Sequence, residues 1–591
     1  SVFQKDANMK GLKKIGILCL AAIVALPLRA QTADPQINYG FGGSVLNRDM
    51  LWASDFAELS RTHLFGTARA MGMGGAFTSL GADLTSMALN PAGLGMYRSS
   101  EFSFTPLVAV SHASTDGTAT WQNNNKTRFA FANIGVALNV FESGSGALTS
   151  LTVGLGLNRI ADFNTRYSFS SESLFDPAVG AFMPTIGDIF SQQLNSWGTR
   201  PNSSNQLLMP DLHPSVWPAA LGYDGYMVDY FADGGNNPWG VARIGGNASV
   251  LHSMDVVNSG SINEFDISLG GNINNIVYFG ATLGIQSVYK RTAMTYQEEY
   301  GYFNTNGVAQ TLNRVTGEWS DLTEQLEMMN LYQRMTIDGS GVNLKLGVVV
   351  RPIAGLRLGA AFHTPTYYSL DYSYRAGITT RIVQTEDIIN NGPIRGVEQG
   401  NDSPTATNEG PDSWSFTSPA RLMFGASYTF GNFAIVSVDY ERDWYNGIRM
   451  KDVPRYNDLS KEDYKAEFKH NFQATNSLRV GAEIKPLPFL ALRVGGGFTD
   501  SMLKERDTYT YGVNTGMPVT YESSYLSAGL GLVLSRGVSL DIAYQTVSDK
   551  MNGYQLFFSQ DYDTGDLKTW SGVYETSLTR HYIAMTLNFR F

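Results

Sequence analysis

The chain has 591 residues, a net charge of −10, 16% charged side chains and a single cysteine, with 61 Gly, 30 Tyr and 32 Phe. The acidic balance disfavours nucleic acid as a partner. The composition, poor in long Ala/Glu/Lys/Leu runs and rich in glycine and aromatics, points to an all-β protein rather than to several helical domains.

The first element in chain order is a leader. Lys10, Lys13 and Lys14 precede an apolar core at 15–26, and Ala30 before Gln31 offers a cleavage point, so residues 1–30 are expected to be a signal peptide with Met9 as a plausible start. Cys19 lies inside that leader. The mature chain would then lack cysteine, which rules out disulfides, a Cys–zinc site and a Cys nucleophile. No later segment carries 18 continuous apolar residues, so an exported chain of this kind is either free of the bilayer or crosses it with strands.

Residues 31–100 do not alternate as strands do. The run 66–95 holds glycines at 66, 72, 74, 75, 81, 93 and 95 and the apolar Met71, Met73, Phe77, Leu80, Leu84 and Met87, ending in Asn90-Pro91-Ala92. It reads as a compact apolar segment followed by a forced turn.

From residue 101 onward two-faced alternation takes over. In 526–534 Leu526, Ala528, Leu530, Leu532 and Leu534 alternate with Ser527, Gly529 and Gly531. After a turn at 535–537, Val538, Leu540, Ile542 and Tyr544 alternate with Ser539, Asp541, Ala543 and Gln545. Fourteen such strands are expected at 101–112, 128–141, 149–163, 262–270, 276–297, 333–351, 356–377, 418–430, 432–447, 474–485, 488–503, 521–534, 538–550 and 577–591. Short turns near 142–148, 271–275, 352–355, 430–432, 486–488 and 535–537 alternate with long polar loops. That alternation, and strands long enough to cross a bilayer when tilted, predict an antiparallel transmembrane barrel of the outer-membrane type, spanning 101–591. The final strand sets Ile583, Met585, Leu587, Phe589 and Phe591 on one face, and the terminal Phe591 resembles the signal read by the bacterial barrel-assembly machinery. The longest loop, 164–261, exceeds ordinary loop lengths and is expected to carry structure of its own, with 181–194 and 227–231 as short amphipathic helices. By parity, Arg357, His363, Arg421, Asp439, Arg479, Glu483, Arg493, Asp541 and Arg590 face the lumen.

Other motifs carry less. Gly72–Gly75 lacks the third glycine of a dinucleotide loop, since position 77 is Phe. The histidines at 63, 112, 213, 252, 363, 470 and 581 show no metal-ligand spacing, although His213 and His252 in the long loop recommend a look for haem. Asp561–Asp566 fails the order of a calcium loop, and no G-x-S-x-G elbow is present. No cofactor, metal or catalytic residue is assigned, and the chain is not expected to be an enzyme.

The run GTARAMGMGGAFTSLGADLTSMALNPAGLGMYRSSEF, residues 66–102, resembles the N-terminal hatch of the FadL/TodX (OMPP1) family of outer-membrane transporters of hydrophobic compounds, in its Bacteroidota form. The resemblance implies that residues 31–100 plug the barrel, with Asn90, Pro91, Ala92, Gly72, Gly74 and Gly75 as the hatch motif and Met71, Met73, Phe77 and Leu80 as ligand contacts. It implies uptake by diffusion, with exit through a side gap at a kinked third strand, where Gly154 and Gly156 are the candidate kink points. The expected partners are a hydrophobic small molecule, outer-membrane lipid or lipopolysaccharide and the assembly machinery, and the expected state is a monomer. Some relatives of the same superfamily, PorV-like, serve instead as scaffolds in protein secretion, which is the alternative reading.

Overall fold

A computed structural model describes residues 51–591 except 116–123, 144–145, 174–184, 209–210, 214–215, 233–234, 236, 242, 244–249, 301–309, 313–318, 322–323, 385–396, 403–411, 455–458, 505–519, 552–553, 556–557, 561–566, 570–572 and 575. The leader expectation, the first part of the hatch and Asp561–Asp566 lie outside the described residues.

Fourteen antiparallel strands form one closed sheet. They are β1 (Glu101–Thr115), β2 (Asn125–Glu142), β3 (Leu148–Asp162, resuming as Thr165–Ser173), β4 (Val250–Ile273), β5 (Val277–Tyr300), β6 (Glu324–Val350), β7 (Leu356–His363, resuming as Tyr367–Gln384), β8 (Asp412–Thr417, then Arg421–Phe430), β9 (Ala434–Trp444, then Arg449–Asp452), β10 (Ala474–Leu487), β11 (Leu490–Thr499), β12 (Thr520–Ser535), β13 (Val538–Met551) and β14 (Thr576–Arg590). β14 pairs back onto β1, from Glu101 opposite Arg590 to Thr115 opposite Thr576, so no edge is left in the ladder's overall order. The chain ends sit on the short-turn rim, where Ser100 N–H donates to Phe591 O at 3.1 Å and Phe591 N–H returns to Ser100 O at 3.0 Å.

The outer face carries a continuous apolar band. Phe265, Ile267 and Leu269 on β4, Val342, Leu344 and Leu346 on β6, Leu478 and Val480 on β10, and Ile583 and Met585 on β14 are all exposed. Their strand neighbours Glu264, Asp266, Lys345 and Arg479 are buried in the lumen. A surface this apolar around a polar interior is stable only in lipid, and the even strand number with alternating short and long connections places the barrel in a bacterial outer membrane. Phe430, Phe433, Phe489 and Phe591 ring the short-turn rim; Tyr289, Tyr332 and Tyr367 stand toward the other rim. These are the two aromatic girdles of such barrels, and the long loops therefore face outward from the cell.

The strands extend further outward than their sequence suggests. β4 starts at Val250 rather than 262, and β6 at Glu324 rather than 333. Above the lipid the outer face no longer has to be apolar, so the alternation that marks a strand fades while the ladder continues. The loop expected at 164–261 thus shortens, because Thr165–Ser173 pairs with Val250–Asn258. Within it, α-helices form at Ile186–Ser196 and Trp217–Asp224. The helix expected at 227–231 is instead the strand Val228–Tyr230, paired with Trp239–Val241. Both breaks in β7 and β8 fall at prolines, Pro365 and Pro419, which cannot donate to the ladder.

Candidate functional site

Residues 51–100 thread the lumen from the outward half down to the inner rim. The helix α1 (Ala53–Leu59) is followed by an extended passage, the one-turn helix α2 (Ala68–Gly72), and 3-10 turns at Leu84–Met87 and Pro91–Met96. Asn90 caps the last turn. Its Oδ1 accepts from Ala92 N–H at 3.1 Å, Pro91 fills the first helical position, and its Nδ2 donates to Thr78 O at 2.6 Å. The Asn-Pro-Ala motif therefore locks the hatch onto itself, while the entry into β1 is made by the extended residues that follow Met96.

The lower hatch sits on a ring of glycines in the wall. A side chain at Gly154 would meet Met87 Sδ at 2.7 Å, and at Gly425 it would meet Thr78 Cβ at 2.8 Å. Gly270, Gly280, Gly359, Gly481 and Gly495 likewise abut hatch atoms, from Leu94 and Pro91 round to Met73 and Gly74. On the hatch side, Gly74 and Gly75 hold φ of +63° and +67°, and a Cβ on Gly74 would lie 2.6 Å from Gly496 N. Backbone thus approaches backbone around most of the cylinder, which only glycine permits. Gly154 and Gly156 belong to this seat: pairing of β3 with both neighbours runs without a register shift through them.

Polar contacts fasten the same layer. Ala68 N–H donates to Thr586 Oγ1 at 2.6 Å, Thr78 N–H to Asp439 Oδ2 at 2.7 Å, Tyr525 OH to Gly74 O at 2.8 Å, and His363 Nε2 meets Leu89 O at 2.9 Å. Arg69 of the hatch shares Glu483 with Arg493, which also grips Asp541 at 2.6 Å. Arg421, Glu441, Asp443 and Arg479 form a second network. The charges expected inside from parity do line the lumen, joined by Glu441 and Asp443 of the same parity. Arg590 sits at the rim, half exposed and paired with buried Glu101. Met71 packs with Phe65, Leu107 and Tyr582, while Met73, Phe77 and Leu80 pack with Ala70; all four proposed contact residues are at most 2% exposed.

The upper hatch is held by side chains. Phe56 of α1 meets the rings of Trp414, Phe416 and Tyr464 at centroid distances of 5.6, 5.0 and 5.7 Å, and Tyr464 OH donates to Leu51 O at 2.5 Å. Tyr464 belongs to a helix in the loop after β9, Lys461–Asn471, capped by Ser460 and Asp463. Glu467 on that helix is 5% exposed, and neither carboxylate oxygen has a hydrogen-bond partner among the described residues. Burial, reinforced by Asp463, raises its carboxyl well above the usual range.

A defect in the wall lies between these halves. β2 pairs with β3 only up to Asn133 opposite Asn158; beyond it, residues 125–132 of β2 pair with β1 alone. β3 bulges at Arg159–Ala161 and breaks before Thr165. Side chains bridge the split: Arg159 Nε donates to Phe131 O at 3.1 Å, Arg128 to Asn164 Oδ1 at 2.7 Å, and Lys126 Nζ to Ser259 Oγ at 2.9 Å. Phe129 and Phe131 stand exposed to lipid beside it. The hatch closes it from within. His63 N–H donates to Ile160 O at 2.8 Å, at the bulge itself, and Asp162 N–H donates to His63 Nδ1 at 3.1 Å. Arg580 donates to the same Nδ1 at 3.3 Å and also grips Asp549, which binds Arg61 at 3.2 Å. Burial first, then the positive charge of Arg580, Arg61 and Arg159, pushes the His63 imidazole well below its usual range, so it accepts from Asp162 N–H as the neutral ring.

His63, Ile160 and the bulge carry no sequence signal, because a histidine in an extended segment and a β-strand that changes partners look ordinary in one dimension. Of the histidines considered for haem, His252 Nδ1 lies 2.7 Å from Tyr296 OH, and His213 stacks on Trp197 at 4.6 Å. Among the described residues no cluster has the make-up of a metal site.

No protein-family model matches the chain, and no curated protein matches it. Among solved structures, a FadL homologue of Pseudomonas aeruginosa is similar at 12% identity and a TM-score of 0.47, over 90% of this chain and 99% of that one. The P. putida toluene transporter TodX is similar at 11% identity and 0.46, with the same coverage. The monoaromatic hydrocarbon channel CymD is similar at 12% and 0.42, over 89% of this chain and 97% of that one. The barrel assignment itself stands on the strand pairing and the lipid-facing band of this chain.

Proposed function

We propose that the chain is a Bacteroidota-type FadL/TodX (OMPP1) transporter, a monomeric outer-membrane channel through which hydrophobic small molecules diffuse inward past the hatch. The observation that carries the reading is the split between β2 and β3, stapled from inside by His63. A water-filled pore has no use for a lateral defect at the level of the lipid; a molecule that prefers hydrocarbon does, because it leaves the lumen sideways without crossing water. Entry is through the outward half, beside the aromatic packing of α1. Passage requires the segment around His63 to move, since Met71, Met73, Phe77 and Leu80 are covered while the hatch is seated. No energy-coupling step is included, and none of the steps involves bond chemistry.

The mature chain's expected lack of cysteine gives a direct test. F65C with Y582C ties the segment beside His63 to β14, where the two rings already touch at a centroid distance of 5.1 Å. In liposomes, the reduced pair is expected to take up a labelled fatty acid or toluene like the unmodified chain, and the oxidised pair to stop. If neither form transports and no apolar molecule co-purifies, the scaffold reading replaces this one. The close seating of the lower hatch on the glycine ring is the observation that favours that second reading.

A further inference from the structure

Above the lipid band, the outer face of β5, β6 and β7 carries charges that no described side chain answers. Arg334 on β6 stands directly opposite Arg375 on β7, and both are exposed. Arg291 on β5 faces Thr336, two positions from Arg334 on the same outer face. The alternation settles the direction: Gln333, Met335, Tyr372 and Tyr374 are buried in the lumen. None of the three arginines forms an ion pair or a hydrogen bond among the described residues.

Like charges placed directly across a ladder destabilise it unless something neutralises them. Among the described side chains, the acids on this face do not. Asp338 and Asp371 oppose each other four positions closer to the bilayer, and Asp371 is engaged by Ser413 Oγ at 2.8 Å. Arg381, further out, is already matched by Glu327 at 2.6 Å. Tyr289, opposite Asp338, and Tyr332, two positions outward of Arg334 on β6, bracket Arg291, Arg334 and Arg375, so the three stand within the outer aromatic girdle, at the depth of lipid headgroups. Guanidinium is the side chain best shaped for a phosphate, which it takes through two parallel N–H bonds.

We infer that Arg291, Arg334 and Arg375 form a headgroup site on the lipid-facing wall for the phosphate of an outer-leaflet glycolipid. The occupant is membrane-bound rather than free phosphate: the three side chains line a convex strand surface with no enclosing wall, so affinity requires acyl chains lying along the apolar band below. The neighbouring Ser287, Ser340, Ser369 and Ser373 lie between that band and the charges and suit sugar hydroxyls.

The test is native mass spectrometry of the full chain released from outer membranes into mild detergent. The unmodified protein is expected to retain phosphorylated glycolipid, and R334S/R375S to lose it roughly tenfold or more, from about 1 kcal/mol per removed cation at a lipid surface. R536S, a cation on the opposite rim, is expected to keep it. Because the double variant can fail to assemble, the unmodified protein is also titrated with the same glycolipid stripped of its phosphates. Weak binding of the stripped lipid supports the site. Equal retention by the double variant, or equal binding of intact and stripped lipid, overturns it. Free inorganic phosphate that displaces the glycolipid at millimolar concentration would overturn the assignment to lipid.

Discussion

The lower and upper halves of the lumen are closed by different physics. Below, hatch backbone lies on wall backbone across glycines, and the contact has no slack: one added methyl group would meet Met87, Thr78 or Gly496 at under 3 Å. Above, the hatch is held by rings, one imidazole and an ion cluster, which can change rotamer without breaking the sheet. The difference teaches where a plug can move. A contact built from side chains has alternative states; a contact built from glycine on glycine has one.

The largest effect is expected from Gly74→Val. The substitution requires φ of +63° at a β-branched residue and drives a side chain into Gly496, so the lower hatch is unseated. Planar-bilayer recordings should then show a large ion conductance absent from the unmodified barrel. If the conductance stays closed, the glycine seat is not the barrier.

Next is Asp549→Asn, which takes the carboxylate from buried Arg580 and leaves Arg61 with Glu58 at 3.5 Å. A loss of about 3–5 kcal/mol is expected, measured in urea unfolding of detergent-solubilised barrel. The loss should be cut by a second change, Arg61→Ala, if the two hatch and wall charges form one unit. His63→Ala removes a weaker staple: the backbone bond to Ile160 O stays, but Asp162 N–H on β3 loses its acceptor, worth about 1–3 kcal/mol. It should raise hydrogen exchange at residues 160–162 while residues 72–78 stay protected. Equal exchange in the two regions would dissolve the contrast between the halves.

Glu467→Gln tests the roof. Its carboxyl is raised in the folded protein, so its contribution to stability is present at low pH and lost as pH rises through the folded value. The glutamine variant should match the unmodified chain in acid and exceed it at neutral pH, by about 1–3 kcal/mol. A difference that does not grow with pH would mean that the carboxylate finds a partner. The smallest effect is expected at Lys550→Ala, an exposed pair with Glu522, which should change stability by less than about 0.5 kcal/mol.

Much of this was legible in one dimension. Alternation in 526–550 placed the hairpin β12–β13, and parity put Arg479, Glu483, Arg493 and Asp541 inside, because lipid on one face and a polar lumen on the other allow only one phase. The closed barrel of fourteen strands followed from the spacing of the turns. The outer ends of β4 and β6 did not, since above the bilayer no solvent enforces the pattern. Gly154 and Gly156 show the limit most clearly. In sequence they are weak points in a strand, and in the fold they are floor for Met87, while the true irregularity falls at Arg159–Ala161.

What the sequence determined by itself is therefore whatever one solvent boundary imposes on one strand: direction of each side chain, the number of crossings, and the segment that cannot be strand. What the tertiary structure decided is which backbone stands opposite which. The glycine seat, the split at Asn133 and the staple at His63 each depend on residues far apart in the chain meeting across the lumen, and a one-dimensional pattern holds no record of that meeting.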